Sequence, residues 1–485
     1  MKNQYFEYQD FFEEVFYNCP SVILFHHSGI TLHMEQERIT DLGTLPKACY
    51  EIPKYFPIDD GSMILLNDPY SGGGILSNFT LLLGVNLNKD YKGKSAEFLL
   101  GIKFIVRPSL VFADNLENEG LKVPPTPIFD KKNGKNQALI EAICSHPSAP
   151  GDLKFHLEKA IEEISSLKEK LETSINIWKI PMDQKSLEKY IHHSNERMID
   201  FLTQIRLAKA KYKEQWITGE SLGLSLEKQE KKLFFDFFEV SKSEKYHLTQ
   251  AAVFGACFAS VLNLLETKIP INTGTMDCIE LKIPKDCFLN SSYPAPVYLG
   301  FTEASGLIAN FTAKLVAKLN KEYQSAEGNI GTCSLDVSFE KSNLHFFDRL
   351  QSGLGASAQN DGVSAVDKWS HDVLKASIEE IEKRFPLHIR STSIRPGSGG
   401  NGTHQGGNGM IRSYIFKESA KIKWFSAMTG HSPDGFMGGS SGLGPQFLLV
   451  RDSDKKRLEL MGEMQVEAGD RLDILTAGGG GFGED

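Results

Sequence analysis

The stretch Leu65-Leu66-Asn67-Asp68-Pro69-Tyr70-Ser71-Gly72-Gly73-Gly74-Ile75-Leu76-Ser77-Asn78 reads as a buried strand running into a constrained polar turn. Ser62 to Leu66 is apolar enough for a strand covered on both faces. Pro69 fixes its own φ and pushes Asp68 toward the extended region, and three glycines then permit positive φ or a close backbone approach. Phe79 to Val85 resumes as a strand. Asn67 and Asp68 are therefore candidate polar groups of a site, with Gly72 and Gly73 shaping it. The competing reading is a tight strand connection capped by Asp68, because Asp and Gly favour turns.

Upstream, Tyr8 to Tyr17 has the pattern of a short helix, and Ser21–Phe25 with Gly29–Met34 that of a β-hairpin turning at Ser28-Gly29. Such a hairpin can bring His26 and His33 together, and with Glu35 and Glu37 following they are candidates for a metal site if both rings take one sheet face. From Phe155 to about Trp216 the character changes: Leu157, Ile161, Ile164, Leu167, Leu171 and Ile175 recur at helical spacing. After Pro181, Leu187, Ile191, Met198, Leu202 and Ile205 form a second stripe, predicting an antiparallel helical hairpin with a charged outer face open to solvent or a partner. His192 and His193 on it point about 100° apart and do not share a metal easily.

Gln250 to Leu265 is apolar nearly all round and predicts a core helix. An alternating strand Cys278–Ile283 and a helix Ile308–Tyr323 follow, without the repeating βαβ pattern of a parallel sheet. Asn272, held between Pro270 and Gly274, is a candidate amide donor to a substrate carbonyl, or the side chain of an Asx-turn. Asp361 in Asn360-Asp361-Gly362 is a candidate carboxylate, or a turn residue. A helix is predicted over Ala376–Lys383.

The last hundred residues predict short strands at Leu387–Ile394, Gly409–Phe416, Ile422–Ala427, Gln446–Val450 and Arg471–Leu475, separated by glycine clusters, as in a sandwich or barrel. The fold class is thus α+β: mixed sheets in a large N-terminal and central region, an inserted helical hairpin, and a β-rich, glycine-rich C-terminal domain. The expected domains are 1–154, 155–216, 217–384 and 385–485. Gly397-Ser398-Gly399-Gly400-Asn401-Gly402 satisfies G-x-G-x-x-G, but no helix pattern opens after it. Gly438-Gly439-Ser440-Ser441-Gly442 satisfies G-x-S-x-G without the strand and helix of a nucleophile elbow.

Hydrophobic content of 41% with 24% charged residues describes a globular chain, and a formal charge of −9 argues against a nucleic-acid partner. No run of 18 apolar residues and no apolar signal core at the start predict a cytoplasmic protein without a membrane span. Seven cysteines, an odd number without a Cys-x-x-Cys pair, suit a reducing compartment. Cys19 near His26 and His27 is a candidate nucleophile only in name, since nothing in the sequence fixes that geometry.

Asn67-Asp68-Pro69-Tyr70-Ser71-Gly72-Gly73 followed by a strand resembles a signature of the hydantoinase B/oxoprolinase family, and further blocks follow in the family's order. They are Glu119-Gly120-Leu121-Lys122-Val123-Pro124-Pro125, Pro150–Leu153, Ile269–Gly274 with Ile283-Pro284, Arg395–Gly402 through Gly406–Gly409 to Arg412, and Ala477–Gly483. The resemblance implies the B-type subunit of a two-subunit, ATP-driven enzyme. In such enzymes a hydantoinase A-like partner handles ATP, and the B-type subunit holds a divalent metal, Mn or Zn. The substrate class is a cyclic amide, or a small carbonyl compound to be carboxylated. If the chain is catalytic, Asp68, Asn67, Asn272 and Asp361 are the candidates for the catalytic polar contacts, Asp68 as a general base, with Gly72, Gly73, Arg395, Ser398 and Gly399 shaping the substrate site.

Four ligand motifs of the family are altered here. Thr-His-x-x-Asp after the glycine turn has Ile75 and Asn78 at its ligand positions, and an aliphatic side chain cannot ligate. His-His-x-Asp-Val-Gly-Gly is replaced by Phe104–Leu110, Ser-Glu-Arg-x-Asp-Phe-Ser by the region Phe16–Ser21, and His-Ile-Pro-x-His-Leu-Gly by Glu37–Gly43. Four correlated losses argue that the ancestral metal site is gone. Two functions stand side by side: a working hetero-oligomeric subunit, with ATP supplied only through its partner, and a non-catalytic homologue that scaffolds or regulates such a complex.

Overall fold

The computed structural model describes residues 4–88, 91–93, 95–106, 109–205, 208–216, 218–265, 268–319, 324–328, 332–366, 368–369, 377–426, 432–452 and 454–484. Contacts divide the chain into two compact units: Met1–Pro108 with Phe112–Tyr212 and Leu222–Ser305, and Ser109–Val111 with Lys213–Ser221 and Gly306–Asp485.

The first unit is built on a seven-stranded sheet. Its chain begins with α1 (Gln4–Val15), the hairpin β1 (Val22–His26) and β2 (Ile30–Glu35), and α2 (Asp41–Glu51). β3 (Met63–Leu66), β4 (Asn78–Val85), β5 (Phe98–Ile105), β6 (Thr126–Asp130) and β7 (Gly134–Lys135) complete the sheet in the order β2-β1-β5-β4-β3-β6-β7. The pairing is antiparallel throughout, yet β4 and β5 are almost continuously apolar because helices cover both faces. One face carries Leu24, Leu65, Phe79, Leu81, Leu100 and Ile102 into the main core. There they meet α1, α3 (Gln137–Cys144), α4 (Leu153–Trp178) and the start of α5 (Gln184–Gln204). The other face, with Ile23, Gly101 and Leu82, lies under α2.

The helical stripes are where the spacing put them, but their partners differ. Leu157, Ile164, Leu167 and Leu171 of α4 are buried against the sheet, and α1 lies against both α4 and α5. α4 of the helical pair thus also covers the sheet, while α5 packs on α7 as well: a stripe this apolar is satisfied by the largest apolar surface within reach. The last residues of the interval expected to be helical are strand β8 (Lys209–Gln215), whose side chains alternate between exposed and half-buried. It joins β9 (Ser221–Gln229), β10 (Lys232–Phe238) and β11 (Ile279–Lys282) in a four-stranded sheet ordered β11-β10-β9-β8. Between β10 and β11 run the apolar helix α6 (Gln250–Leu262) and the single turn α7 (Thr273–Met276).

The second unit holds α8 from Gly306 onward (the helix spans Ser305–Leu319), and a two-sheet sandwich. β12 (Cys333–Phe339) and β13 (His345–Leu350) precede α9 (Ile378–Arg384), then follow β14 (Leu387–Ile394), β15 (Met410–Phe416), β16 (Ala420–Ser426), β17 (Gln446–Arg451), β18 (Asp454–Leu458), β19 (Met461–Val466) and β20 (Arg471–Leu475). The sheets β13-β12-β16-β19 and β14-β15-β20-β17-β18 close over one core that includes Leu335, Tyr414, Trp424, Phe447 and Ile474. All five C-terminal strands expected from the sequence are present, while the charged β18 and the polar β19 gave no signal. Residues 320–323, Ala376 and Ala427 of the expected elements lie outside the described residues.

Beside the sandwich the glycine clusters form a web of extended segments bonded to one another through their backbones. Gly400 N–H donates to Gly479 O, Gly479 N–H to Gly407 O, and Gly407 N–H to Leu354 O, each at 2.8 Å. A side chain has no room here: a Cβ on Gly478 would stand 1.9 Å from Ser398 O.

In the first unit the same device joins two helices. α2 and α6 cross so closely that a Cβ on Gly43 would lie 1.9 Å from Ala251 O, and one on Gly255 2.2 Å from Ile39 O. Gly255→Ala is expected to cost about 1–3 kcal/mol by overpacking, read as a lower denaturation midpoint. Gly151→Ala, whose Cβ meets open space, serves as the neutral control.

Candidate functional site

The Asn67–Asn78 turn is built by its own polar side chains. Asn67 is fully buried: its Nδ2 donates to Leu76 O at 2.7 Å and Leu121 O at 2.8 Å, and its Oδ1 accepts from Val123 N–H at 2.6 Å. It pins the far end of the turn and a second segment to the strand. Asp68 caps the helical turn Pro69–Ser71, accepting from Tyr70 N–H at 3.1 Å and Ser71 Oγ at 2.9 Å. Gly72 follows at φ +94°, where L side chains are strained, and a Cβ on it would meet the backbone of Ala48 in α2. A Cβ on Gly73 would stand 2.3 Å from Asn67 O. Both glycines are required by the packing of the turn on its neighbours.

Beyond the turn, Tyr70 donates to Ala295 O at 2.8 Å and meets the Tyr293 ring edge-on, while Lys122 Nζ lies 4.1 Å above that ring. Close by is Glu119, whose Oε1 accepts from Tyr298 N–H at 2.7 Å and whose Oε2 is buried without a hydrogen-bond partner. Burial pushes its carboxyl up to about 7, against the pull of the Tyr298 and Val297 backbone donors. A carboxyl held high in the fold adds stability that is full below its unfolded value and is lost as pH rises through 7. The protein is therefore expected to lose thermal stability between roughly pH 5 and pH 8, and Glu119→Gln to flatten that part of the pH profile. Thermal melts of both proteins across this range check it.

The second polar cluster lies under α2, on the sheet face opposite the main core. Lys103 of β5 is buried, with Nζ 2.7 Å from Asp41 Oδ1 and 2.7 Å from Thr44 Oγ1. Ser21 Oγ donates to Asp41 Oδ2 at 3.0 Å and accepts from Glu37 N–H at 2.9 Å. Thr80 pairs directly across from Lys103, and Asn78 lies two residues along β4 on the same face. The Oγ1 of Thr80 and Oδ1 of Asn78 are buried without hydrogen-bond partners. Burial lowers the pKa of Lys103, with the Asp41 carboxylate pulling it back up.

The remaining candidates bond groups of the chain itself. Asn272 is fully buried; it caps α7 in a reciprocal box with Thr275, and its Nδ2 donates to Ser194 Oγ at 2.9 Å. This is the Asx-type arrangement offered as the alternative to an amide donor. In the second unit Arg395 donates from Nη1 to Gly444 O and Thr476 O, both at 2.8 Å. Buried Ser398 donates to Arg395 O at 2.7 Å, and Gly399 N–H donates to Asn408 Oδ1 at 3.0 Å. These three hold the glycine web. Asp361 belongs to the same web and is exposed, accepting from Gln405 N–H at 2.9 Å with His404 Nδ1 at 3.4 Å.

The hairpin gives its histidines different partners. Leu24 pairs with His33 and His26 with Ile30, with a bulge between Leu24 and Phe25. His33 stacks on Phe12 and Phe16 and faces Glu35 at 3.4 Å, whereas His26 Nδ1 accepts from Ser28 N–H and is held down to about 4 by burial. Burial pushes the Cys19 thiol up to about 11, which is wrong for a nucleophile. Among the described residues no group of three or more His, Cys, Asp or Glu side chains is placed to hold a metal ion. Buried Ile75 has no donor atom, and Asp41 is already engaged by Lys103. The donor set does not fit the divalent metal that the resemblance implies. No helix among the described residues is long and apolar enough to cross a membrane. Lys103 and Asp41 escaped the sequence reading; the available signal was one lysine inside Phe98-Leu99-Leu100-Gly101-Ile102-Lys103-Phe104-Ile105.

Comparison with known proteins gives concordant results. The chain is 30% identical over 267 residues to 5-oxoprolinase 1 of Arabidopsis thaliana, a match covering 54% of this chain and 20% of that protein. It is 27% identical over 443 residues to an uncharacterized protein of Methanocaldococcus jannaschii, covering 88% of this chain and 76% of that one. The chain thus spans only a fifth of the plant oxoprolinase. Its fold matches ATP-dependent caprolactamase from Pseudomonas jessenii with a TM-score of 0.82 at 16% identity, over 100% of this chain and 89% of that one. It also matches acetone carboxylase with a TM-score of 0.78 at 12% identity, over 99% and 74%. The family model for hydantoinase B/oxoprolinase matches residues 20–485. On that match, which runs through the turn, the glycine web and the sandwich alike, the chain belongs to the hydantoinase B/oxoprolinase family.

Proposed function

We propose that this chain is the B-type subunit of a heteromeric, ATP-driven assembly acting on a small cyclic amide, with ATP handled by a hydantoinase A-like partner. The observation that carries this reading is the fold match along the whole chain to ATP-dependent caprolactamase. A stretch of 218 residues, 22% identical to a putative B-type D-/L-hydantoinase polypeptide of a Pseudomonas species, points the same way. The sequence has no G-x-x-x-x-G-K-[ST] loop, so ATP chemistry in such an assembly falls to another chain. Carboxylation of a small carbonyl compound has only the likeness to acetone carboxylase behind it.

A second reading concerns the part this subunit plays, and the ion pair of Lys103 with Asp41 favours it. Several side chains expected to serve a substrate also bond this chain itself: Asn67, Arg395 and Ser398 bond backbone groups, and Asn272 caps a helical turn and bonds Ser194. A subunit that keeps the framework while its ligand positions carry other side chains is suited to scaffolding or regulating the assembly.

Tagged protein purified from its own host and measured by native mass spectrometry is expected to carry an ATP-using A-type chain at fixed stoichiometry. ATP turnover by that complex is expected to rise with hydantoin, 5-oxoproline or caprolactam. Recovery as a homo-oligomer, or turnover indifferent to all three amides, contradicts the proposal.

A further inference from the structure

Three of the altered ligand motifs are far apart in sequence, yet residues of theirs lie at one place, beside the strand residue that leads into the fourth, of which Arg107 and Pro108 lie outside the described residues. Ser21 ends the first altered region, Asp41 stands in the second at a position where the family has histidine, and Asn78 replaces the carboxylate after the glycine turn. Lys103 immediately precedes the fourth region, which starts at Phe104. All four residues are at most 6% exposed. Ser21 and Lys103 both bond Asp41, and Asn78 and Lys103 share one sheet face.

We infer that the Lys103 ammonium stands in for the divalent cation, so that this place is held by a cation the chain carries covalently. The charge balance supports it. The cluster has one carboxylate, Asp41, and one ammonium, Lys103, which form a neutral pair at 2.7 Å. Among the described residues, the other side chains placed here are the hydroxyls and amide of Ser21, Thr44, Thr80 and Asn78, and no group of three or more His, Cys, Asp or Glu is placed to hold a metal ion. An ammonium donates three fixed protons and has no open coordination position. It can tie β5 to α2, but it cannot polarise a carbonyl as a Lewis acid or lower the pKa of a bound water.

The inference rests on family membership and on neither reading of the subunit's role, so it can fail while the partnership stands. Its test is elemental analysis of the full chain, alone and in its purified complex, with thermal melts in EDTA and in millimolar Mn2+ or Zn2+. Far less than one metal per chain and an unmoved melting temperature are expected. Lys103→Met, which strands the Asp41 carboxylate, is expected to lower the melting temperature by about 10 °C. The double change Asp41→Asn with Lys103→Met should recover most of that loss. Combining Ile75→His and Asn78→Asp with Lys103→Ala should create stabilisation by Mn2+ or Zn2+ that the natural chain lacks. Stoichiometric metal in the natural protein that disappears in Asp41→Asn overturns the inference. So does a double variant no more stable than Lys103→Met. If the variants do not fold, the metal content of the natural protein decides alone.

Discussion

Lys103 and Asp41 meet at 2.7 Å between an interior strand of the large sheet and the helix that covers it, and the layers above depend on that contact. Two charges taken out of water stabilise a fold only when geometry and further hydrogen bonds repay their desolvation, and removing one partner costs about 3–5 kcal/mol. Here Thr44 completes the ammonium's shell and Ser21 the carboxylate's. The pair fixes α2 on β5, α6 then crosses α2 at Gly43 and Gly255, and the Asn67–Asn78 turn packs on Ala48 of α2. One electrostatic clamp and a few missing Cβ atoms thus set the order of layers.

The same economy governs the polar residues that look functional. Asn67, Asp68, Asn272, Arg395 and Ser398 are conspicuous in the sequence because each sits in a Gly- or Pro-framed loop, and loops of that kind carry backbone groups with no ladder to join. The structure uses these side chains to satisfy them. A binding loop and a self-satisfied loop have the same composition. They differ in whether any polar atom is left over, and among the described residues the buried atoms without a hydrogen-bond partner include Glu119 Oε2 by the turn and the Asn78 and Thr80 oxygens under α2.

Local pattern carried much of the fold. The hairpin at Ser28-Gly29, the strands on either side of the glycine turn, the core helix α6 and the strands of the sandwich all follow from spacing and turn chemistry within a dozen residues. What the sequence hid is non-local. The stripe on α4 announces a helix with a buried face, but whether it meets α5 or the sheet depends on strands fifty to eighty residues upstream. β18, Asp454-Lys455-Lys456-Arg457-Leu458, has the composition of a charged loop and is a strand because β17 pairs with it. Lys103 and Asp41 are separated by 62 residues, and only the register of β5 under α2 makes them partners. The family blocks located the framework correctly; the residues now filling its centre could be found only after the chain was folded.

The most direct measurement is a crystal structure of the protein grown in the presence of Mn2+ or Zn2+, with anomalous data collected at the metal's absorption edge. The account predicts no anomalous peak among Ser21, Asp41 and Asn78, and continuous density placing Lys103 Nζ within hydrogen-bond distance of Asp41. A peak bound by Asp41, with the Lys103 side chain turned away from it, would contradict the claim that the chain supplies its own cation.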